Sequence, residues 1–202
     1  MTAALKRYSP ADYLALERAS PTKHEFFDGE IFDMAGSSIP HSRISTNVTI
    51  ALGNLLQGRT CQVFNSDLRV KVPRGLYTYP DATVVCGELQ LEDEHQDILL
   101  NPLLIVEVLS PSTEAYDRGA KFAQYRSCPS LSEYVLVSQD HALVEHFARQ
   151  PSGQWLLTSY DSLDARVSLP CLNVELPLSD IYVNVQWERS PEVSNESPPA
   201  AM

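Results

Sequence analysis

Two acids in this chain stand where acids are costly. Glu107 interrupts LLIVEVL (103–109), a run otherwise apolar and rich in β-branched residues, the pattern of a central strand covered on both faces. An ionised carboxylate there is expensive unless a cation or hydrogen bonds compensate it. Asp81 follows Tyr79-Pro80 at the start of a preceding strand, about 79–86. If the two strands pair antiparallel through a connector at 87–102, the start of one meets the end of the other. Asp81 and Glu107 then lie side by side at one edge of the sheet. Adjacent carboxylates repel, a divalent cation relieves that repulsion, and oxygen-only ligands favour Mg²⁺ or Mn²⁺ over zinc. Taken singly, an Asp after proline is an ordinary turn former and a strand Glu is often salt-bridged. The joint placement carries the argument.

A third element follows. Asp117, Lys121 and Tyr125 recur at i, i+4 and i+8 on a helix expected over about 113–127. An Asp–Lys pair at this spacing is also an ordinary helix stabiliser. Functionally, the stripe hangs a lysine over the two carboxylates, where it can orient a water and offset charge developing on a phosphoryl group.

The surrounding elements read as α/β. Ser9-Pro10 with Asp12 starts a helix over about 10–19. HEFF and EIFDM flank Asp28-Gly29, the signature of a type I′ hairpin. Ser38-Ile39-Pro40 opens a helix to about Leu56, with Ile44, Val48, Ala51, Leu52 and Leu55 at helical spacing and Gly58 as its stop. Further expectations are a strand over 61–72, a turn at Pro73-Arg74-Gly75, a strand at 133–138, and more strands to about 186, with Gly153 as a turn and Pro170 and Pro177 as breaks. Residues 1–187 form one expected domain. The polar, proline-rich 188–202 is expected to be a disordered tail.

The elements from 40 to 138 run helix–strand–strand–strand–helix–strand. With Pro80-Asp81 and then Glu107 on the next strand, the chain resembles the PD-(D/E)XK nuclease superfamily. More closely, it resembles the bacterial "putative restriction endonuclease" family, a domain formerly of unknown function and abundant in cyanobacteria. The stretches that carry this are HEFFDGEIFDMAG, PHSRI, YPDATVV and IVEVLSPSTEAYDRGAKFAQY, spanning about 24 to 138. The resemblance implies a restriction-endonuclease-like core (αβββαβ) with an N-terminal helix and β-hairpin and additional C-terminal strands. It implies a Mg²⁺-dependent (or Mn²⁺-dependent) DNA endonuclease, with Asp81, Glu107 and the backbone carbonyl of Val108 as metal ligands. Leu109 stands where the superfamily's lysine is expected, two residues after Glu107, which points to Lys121 on the following helix as the residue that orients or activates water. Glu25 and His41 enter by the same resemblance as further catalytic residues, and Asp117 and Tyr125 as supporting ones. Arg43, Arg69, Lys71 and Arg74 are candidate contacts to the DNA backbone. The alternative from another class is a nuclease fold used as a binding or assembly module without turnover.

Composition bounds these readings. Fifteen Lys and Arg against 26 Asp and Glu give a net charge of −11, which disfavours unspecific coating of nucleic acid or anionic membrane. Five of the acids (Glu88, Glu92, Asp93, Glu94, Asp97) crowd the connector, at the end of the expected hairpin away from Asp81 and Glu107. No run approaches the roughly 20 apolar residues of a membrane span, so no membrane partner is expected. Cys61, Cys86, Cys128 and Cys171 lack metal spacing and read as reduced, buried thiols of a cytoplasmic protein. A homodimer is expected by analogy.

Overall fold

The computed structural model describes residues 6–34 and 36–187; the expected tail lies outside them. Helix α1 (Pro10–Ala19) starts where the sequence places it. Ser9 and Asp12 form a reciprocal capping box, and Pro10 occupies the first turn. Strands β1 (His24–Phe27) and β2 (Glu30–Asp33) make the expected hairpin. Asp28 and Gly29 have φ of 48° and 81°, both in the left-handed region that a type I′ turn demands. Helix α2 (Ile39–Leu55) is capped by the Ser38 hydroxyl and buries Ile44, Val48, Ala51 and Leu52.

Six strands form the main sheet: β3 (Cys61–Asn65), β6 (Ala82–Cys86), β8 (Leu104–Leu109), β9 (Glu133–Ser138), β10 (Val144–Arg149) and β11 (Trp155–Tyr160). Their order is β11-β10-β9-β8-β6-β3, and only β8 and β9 run parallel. Strand β8 is buried along its whole length, as its apolar run requires. One face packs Leu104, Val106 and Val108 with α2 and with the hairpin of β12 (Arg166–Leu169) and β13 (Val174–Pro177), followed by the short helix α5 (Leu178–Ile181). The other face packs Ile105 and Leu109 against Phe122, Tyr125, Leu131 and Tyr134. The order α2–β3–β6–β8–helix–β9 is the expected αβββαβ.

Four local expectations need correction. The strand expected over 61–72 breaks at Asn65–Asp67, where the Asn65 side chain accepts the Asp67 N–H and turns the chain. Its second half, β4 (Arg69–Lys71), pairs with β5 (Tyr77–Thr78) instead of continuing in the main sheet. The connector is not all loop: it supplies β7 (Ile98–Leu99), parallel to β4, and the second sheet has the order β2-β1-β5-β4-β7. The helix expected over 113–127 is α3 (Glu114–Tyr116), a π-helical turn (Asp117–Lys121) and α4 (Phe122–Tyr125). Finally, Cys61 and Cys86 are register partners on β3 and β6 and are joined in a disulfide rather than reduced. Cys128 is a buried thiol as expected, and Cys171 is free and half-buried.

Candidate active site

Antiparallel pairing of β6 with β8 sets Ala82 opposite Val106, and one step further sets Asp81 opposite Glu107. The two carboxylates are side by side because strand register leaves them no alternative. The Val108 N–H donates to Asp81 Oδ2 at 2.8 Å, fixing that carboxylate against the end of β8. His41, in the first turn of α2, brings Nε2 to 3.5 Å from the same oxygen, and its Nδ1 is buried without a partner.

Lys121 enters from the opposite face of the sheet. Its Nζ lies 2.8 Å from Glu107 Oε1, 3.1 Å from Glu25 Oε1 and 3.4 Å from Asp117 Oδ1. The π-helical turn holds Asp117 and Lys121 on one inward face, both almost fully buried. Such turns recur at functional sites because the extra residue re-aims side chains. Tyr125, one turn on, donates its hydroxyl to Glu107 Oε1 at 2.7 Å. The Thr78 hydroxyl donates to Glu25, which the β1–β2 hairpin delivers to the cluster. The chain thus gathers Glu25, His41, Asp81, Glu107, Asp117, Lys121 and Tyr125 at one place.

Four carboxylates here share one ammonium. Burial pushes the Glu107 carboxyl up to about 8; Lys121 opposes the rise, and the neighbouring Asp117 and Asp81 add to it. Asp81 is raised as well, by burial first, against the pull of His41 and the Val108 amide. Burial alone would depress Lys121, but Glu107, Tyr125, Glu25 and Asp117 outweigh it and hold the ammonium charged well above its usual range. The contacts of Asp81 fall on Oδ2 and those of Glu107 on Oε1. Among the described residues, no hydrogen bond reaches Asp81 Oδ1 or Glu107 Oε2. Two hard oxygens with surplus negative charge behind them fit a divalent cation such as Mg²⁺, which takes one or two carboxylates and completes its shell with water and substrate oxygens. Among the described residues no group of three or more His, Cys, Asp and Glu side chains is arranged to hold an ion by itself.

The cluster forms the floor of a cleft of about 1060 Å³. Its walls come from β2, the segment before α2, one side of α2, the loop Ser110–Thr113 and Tyr116. The acids of 88–97 lie outside it, as expected.

The proposed DNA-backbone cations are not gathered here. Arg69 is buried, donating to the Tyr79 hydroxyl at 2.8 Å and facing Asp97 at 3.4 Å, so it has no surface to offer. Lys71 is ion-paired with Glu92 on the second sheet. Arg43 and Arg74 are exposed, yet neither lines the cleft. Three residues at the site escaped sequence reasoning: Phe32 and Tyr116 in the cleft wall, and Thr78 behind Glu25. Phe32 was within reach of it, since a two-residue turn at Asp28-Gly29 fixes the pairing of Glu25 with Phe32.

Among the described residues, no helix is long and apolar enough to cross a membrane. Compared with known families, residues 10–179 match the model of Uma2, described as "Putative restriction endonuclease". Two relatives come from Synechocystis sp. (strain ATCC 27184 / PCC 6803 / Kazusa), both described as uncharacterized. The protein slr1290 is 37% identical over 182 residues, covering 90% of this chain and 94% of its own. The protein sll1609 is 35% identical over 175 residues, covering 86% and 99%. A crystal structure from Anabaena variabilis ATCC 29413, described as a "putative nuclease belonging to DUF820", matches with a TM-score of 0.70. That match covers 85% of this chain and 96% of that one at 20% identity, a likeness of fold. The family match takes in β1, α2, Asp81, Glu107 and Lys121 alike, and the chain belongs to the Uma2 "Putative restriction endonuclease" family.

Proposed function

We propose that this chain is a divalent-metal-dependent DNA endonuclease that hydrolyses phosphodiester bonds in the cleft above Asp81 and Glu107. The observation that carries the reading is the charge imbalance at the cleft floor. Four recessed carboxylates with one ammonium form a site that no phosphodiester anion can approach until a cation is bound. Asp81 Oδ1 and Glu107 Oε2 would hold that cation, together with the Val108 carbonyl. A divalent ion there would lower the pKa of water and offset charge on the leaving oxygen.

The remaining roles belong to the chain's own groups. Tyr125 and Lys121 bind Glu107 through Oε1 and so leave Oε2 unbonded. Lys121 is a charged ammonium, so its part is to orient the attacking water and to offset charge on the phosphoryl oxygens, not to accept a proton. His41 holds Asp81 and can relay a proton beside it. Glu25 and Asp117 hold Lys121 in place.

The test is cleavage of closed circular DNA, plasmid and single-stranded, by the full chain in Mg²⁺ or Mn²⁺. Asp81→Asn is expected to lower the rate by at least ~10³-fold, the scale of losing a key electrostatic stabiliser. Cleavage that survives Asp81→Asn contradicts this site. The alternative, a binding module without turnover, draws on one observation: all three ion pairs of Lys121 tie it to carboxylates. Absence of cleavage across both metals and both DNA forms would favour it.

A further inference from the structure

The cleft is built unlike a duplex-binding groove. Binding to duplex DNA draws its affinity from Lys and Arg that displace counterions from phosphates. Here the Lys and Arg residues lining the cleft are Lys23 and Lys121, against Glu25, Asp33, Asp81, Glu107 and Asp117. Lys23 is tied to Asp67 at 2.5 Å and to the Ser66 carbonyl, and Lys121 is enclosed by carboxylates. Of these acids Asp33 is exposed, but the two at the centre are recessed: the Asp81 side chain is 15% exposed and that of Glu107 6%.

The cleft offers two other things. Phe32 is 45% exposed in its wall, and its register partner on β1 is Glu25, so its ring stands on the same face as the carboxylate cluster. Along α2, Ser42, Ser45, Thr46 and Thr49 also line the cleft. The Thr46 and Thr49 hydroxyls donate back to the Ser42 and Ser45 carbonyls at 2.8 and 2.9 Å. With their protons so committed, these oxygens can only accept. Acceptors repel phosphate oxygens but suit the N–H groups of a base edge, and the N–H groups of the Watson–Crick edge are free only when the base is unpaired.

From the two acceptor hydroxyls of α2, the exposed ring and the lack of free cations among the described cleft residues, we infer that the cleft takes single-stranded nucleic acid, stacking a base on Phe32 beside the phosphate that reaches Asp81 and Glu107. The inference rests on the nuclease reading of the same site and adds the form of its substrate. Aromatic stacking is tolerant of base identity and supplies affinity where charge does not.

The test measures binding of a short labelled single strand, and of the duplex of the same sequence, to the full-length chain with Ca²⁺ in place of Mg²⁺, with and without Phe32→Ala, the strands being checked as intact afterwards. The single strand is expected to bind about tenfold or more tighter than the duplex, with a log–log salt slope of only about −1 to −2, as for one to three phosphate contacts. Phe32→Ala is expected to weaken single-strand binding about 5- to 100-fold, and Phe32→Trp to preserve it. Phe32 is exposed, so neither change threatens the fold. Equal or tighter duplex binding overturns the inference, and so does single-strand affinity that is undetectable or indifferent to Phe32→Ala. Failure of the nuclease reading looks different: Phe32-dependent single-strand binding by a chain that cleaves nothing in any metal.

Discussion

Asp93 and Asp97 in the β6–β8 connector and Asp81 and Glu107 at the other end of the same two strands are four acids in opposite circumstances. Arg18 reaches both connector acids, at 2.7 and 2.8 Å, and Arg69 adds to Asp97. Those hydrogen bonds hold both carboxyls below the usual carboxylate range. The cleft acids are recessed, crowded and share one ammonium, and they are pushed the other way. Asp93 and Asp97 are acids already neutralised by their own fold. The cleft is an acidic cluster left unfinished, and that difference, not the number of acids, marks the site.

The comparison can be broken first at its cations. Lys121→Met leaves buried carboxylates without their counter-charge, a change that typically costs about 3–5 kcal/mol when a buried pair loses one partner. A large fall in the melting midpoint and loss of cleavage are expected together. Arg18→Ala, which removes a solvent-screened cation, is expected to shift the midpoint far less and to leave cleavage unchanged. Equal destabilisation by the two variants would erase the distinction.

A smaller effect sharpens it through pH. Between the ordinary carboxyl value of 4.5 and about 8, folded Glu107 keeps a proton that the unfolded chain has released. The folded state then binds more protons, so the stability of the metal-free chain falls as pH rises through that window. Asp81 contributes in the same direction. The connector acids act oppositely: their stabilisation is present above the usual carboxylate range and is lost as pH falls below it. Thermal melts across pH 5 to 9 (about four units, spanning the window) are expected to decline toward alkali, and Glu107→Gln to flatten that decline. Added Mg²⁺ should stabilise most at the alkaline end, because it displaces the proton.

The smallest effect concerns Tyr125→Phe. It deletes one buried hydroxyl donor to Glu107 Oε1. A cost of roughly 1–2 kcal/mol in stability, and about tenfold in cleavage rate, is expected for the loss of one buried hydrogen bond. A full loss of activity would instead place the hydroxyl among the reacting groups.

Much of the site was legible in the sequence because local rules fix it. An apolar strand interrupted once, preceded by an antiparallel partner, leaves Glu107 and Asp81 adjacent. The spacing of Asp117, Lys121 and Tyr125 puts all three near that strand, and the resemblance singled out Lys121. What was not legible depends on long-range choices. Arg18 and Asp97 are distant in the chain, and nothing local shows that they meet. Arg69 reads as a surface cation until β4 is seen to leave the main sheet, taking that side chain under Tyr79. The π-helical turn keeps ordinary helical spacing on paper, since the i, i+4 pair of Asp117 with Lys121 suits an α-helix equally well. The Cys61–Cys86 link follows from register between β3 and β6, which spacing alone does not give.

The most direct test of the central claim is anomalous diffraction from a crystal of the chain grown with Mn²⁺. The expected result is a manganese peak bridging Asp81 and Glu107, with the connector acids bare. Manganese on Asp93 and Asp97 with nothing between Asp81 and Glu107 would contradict it.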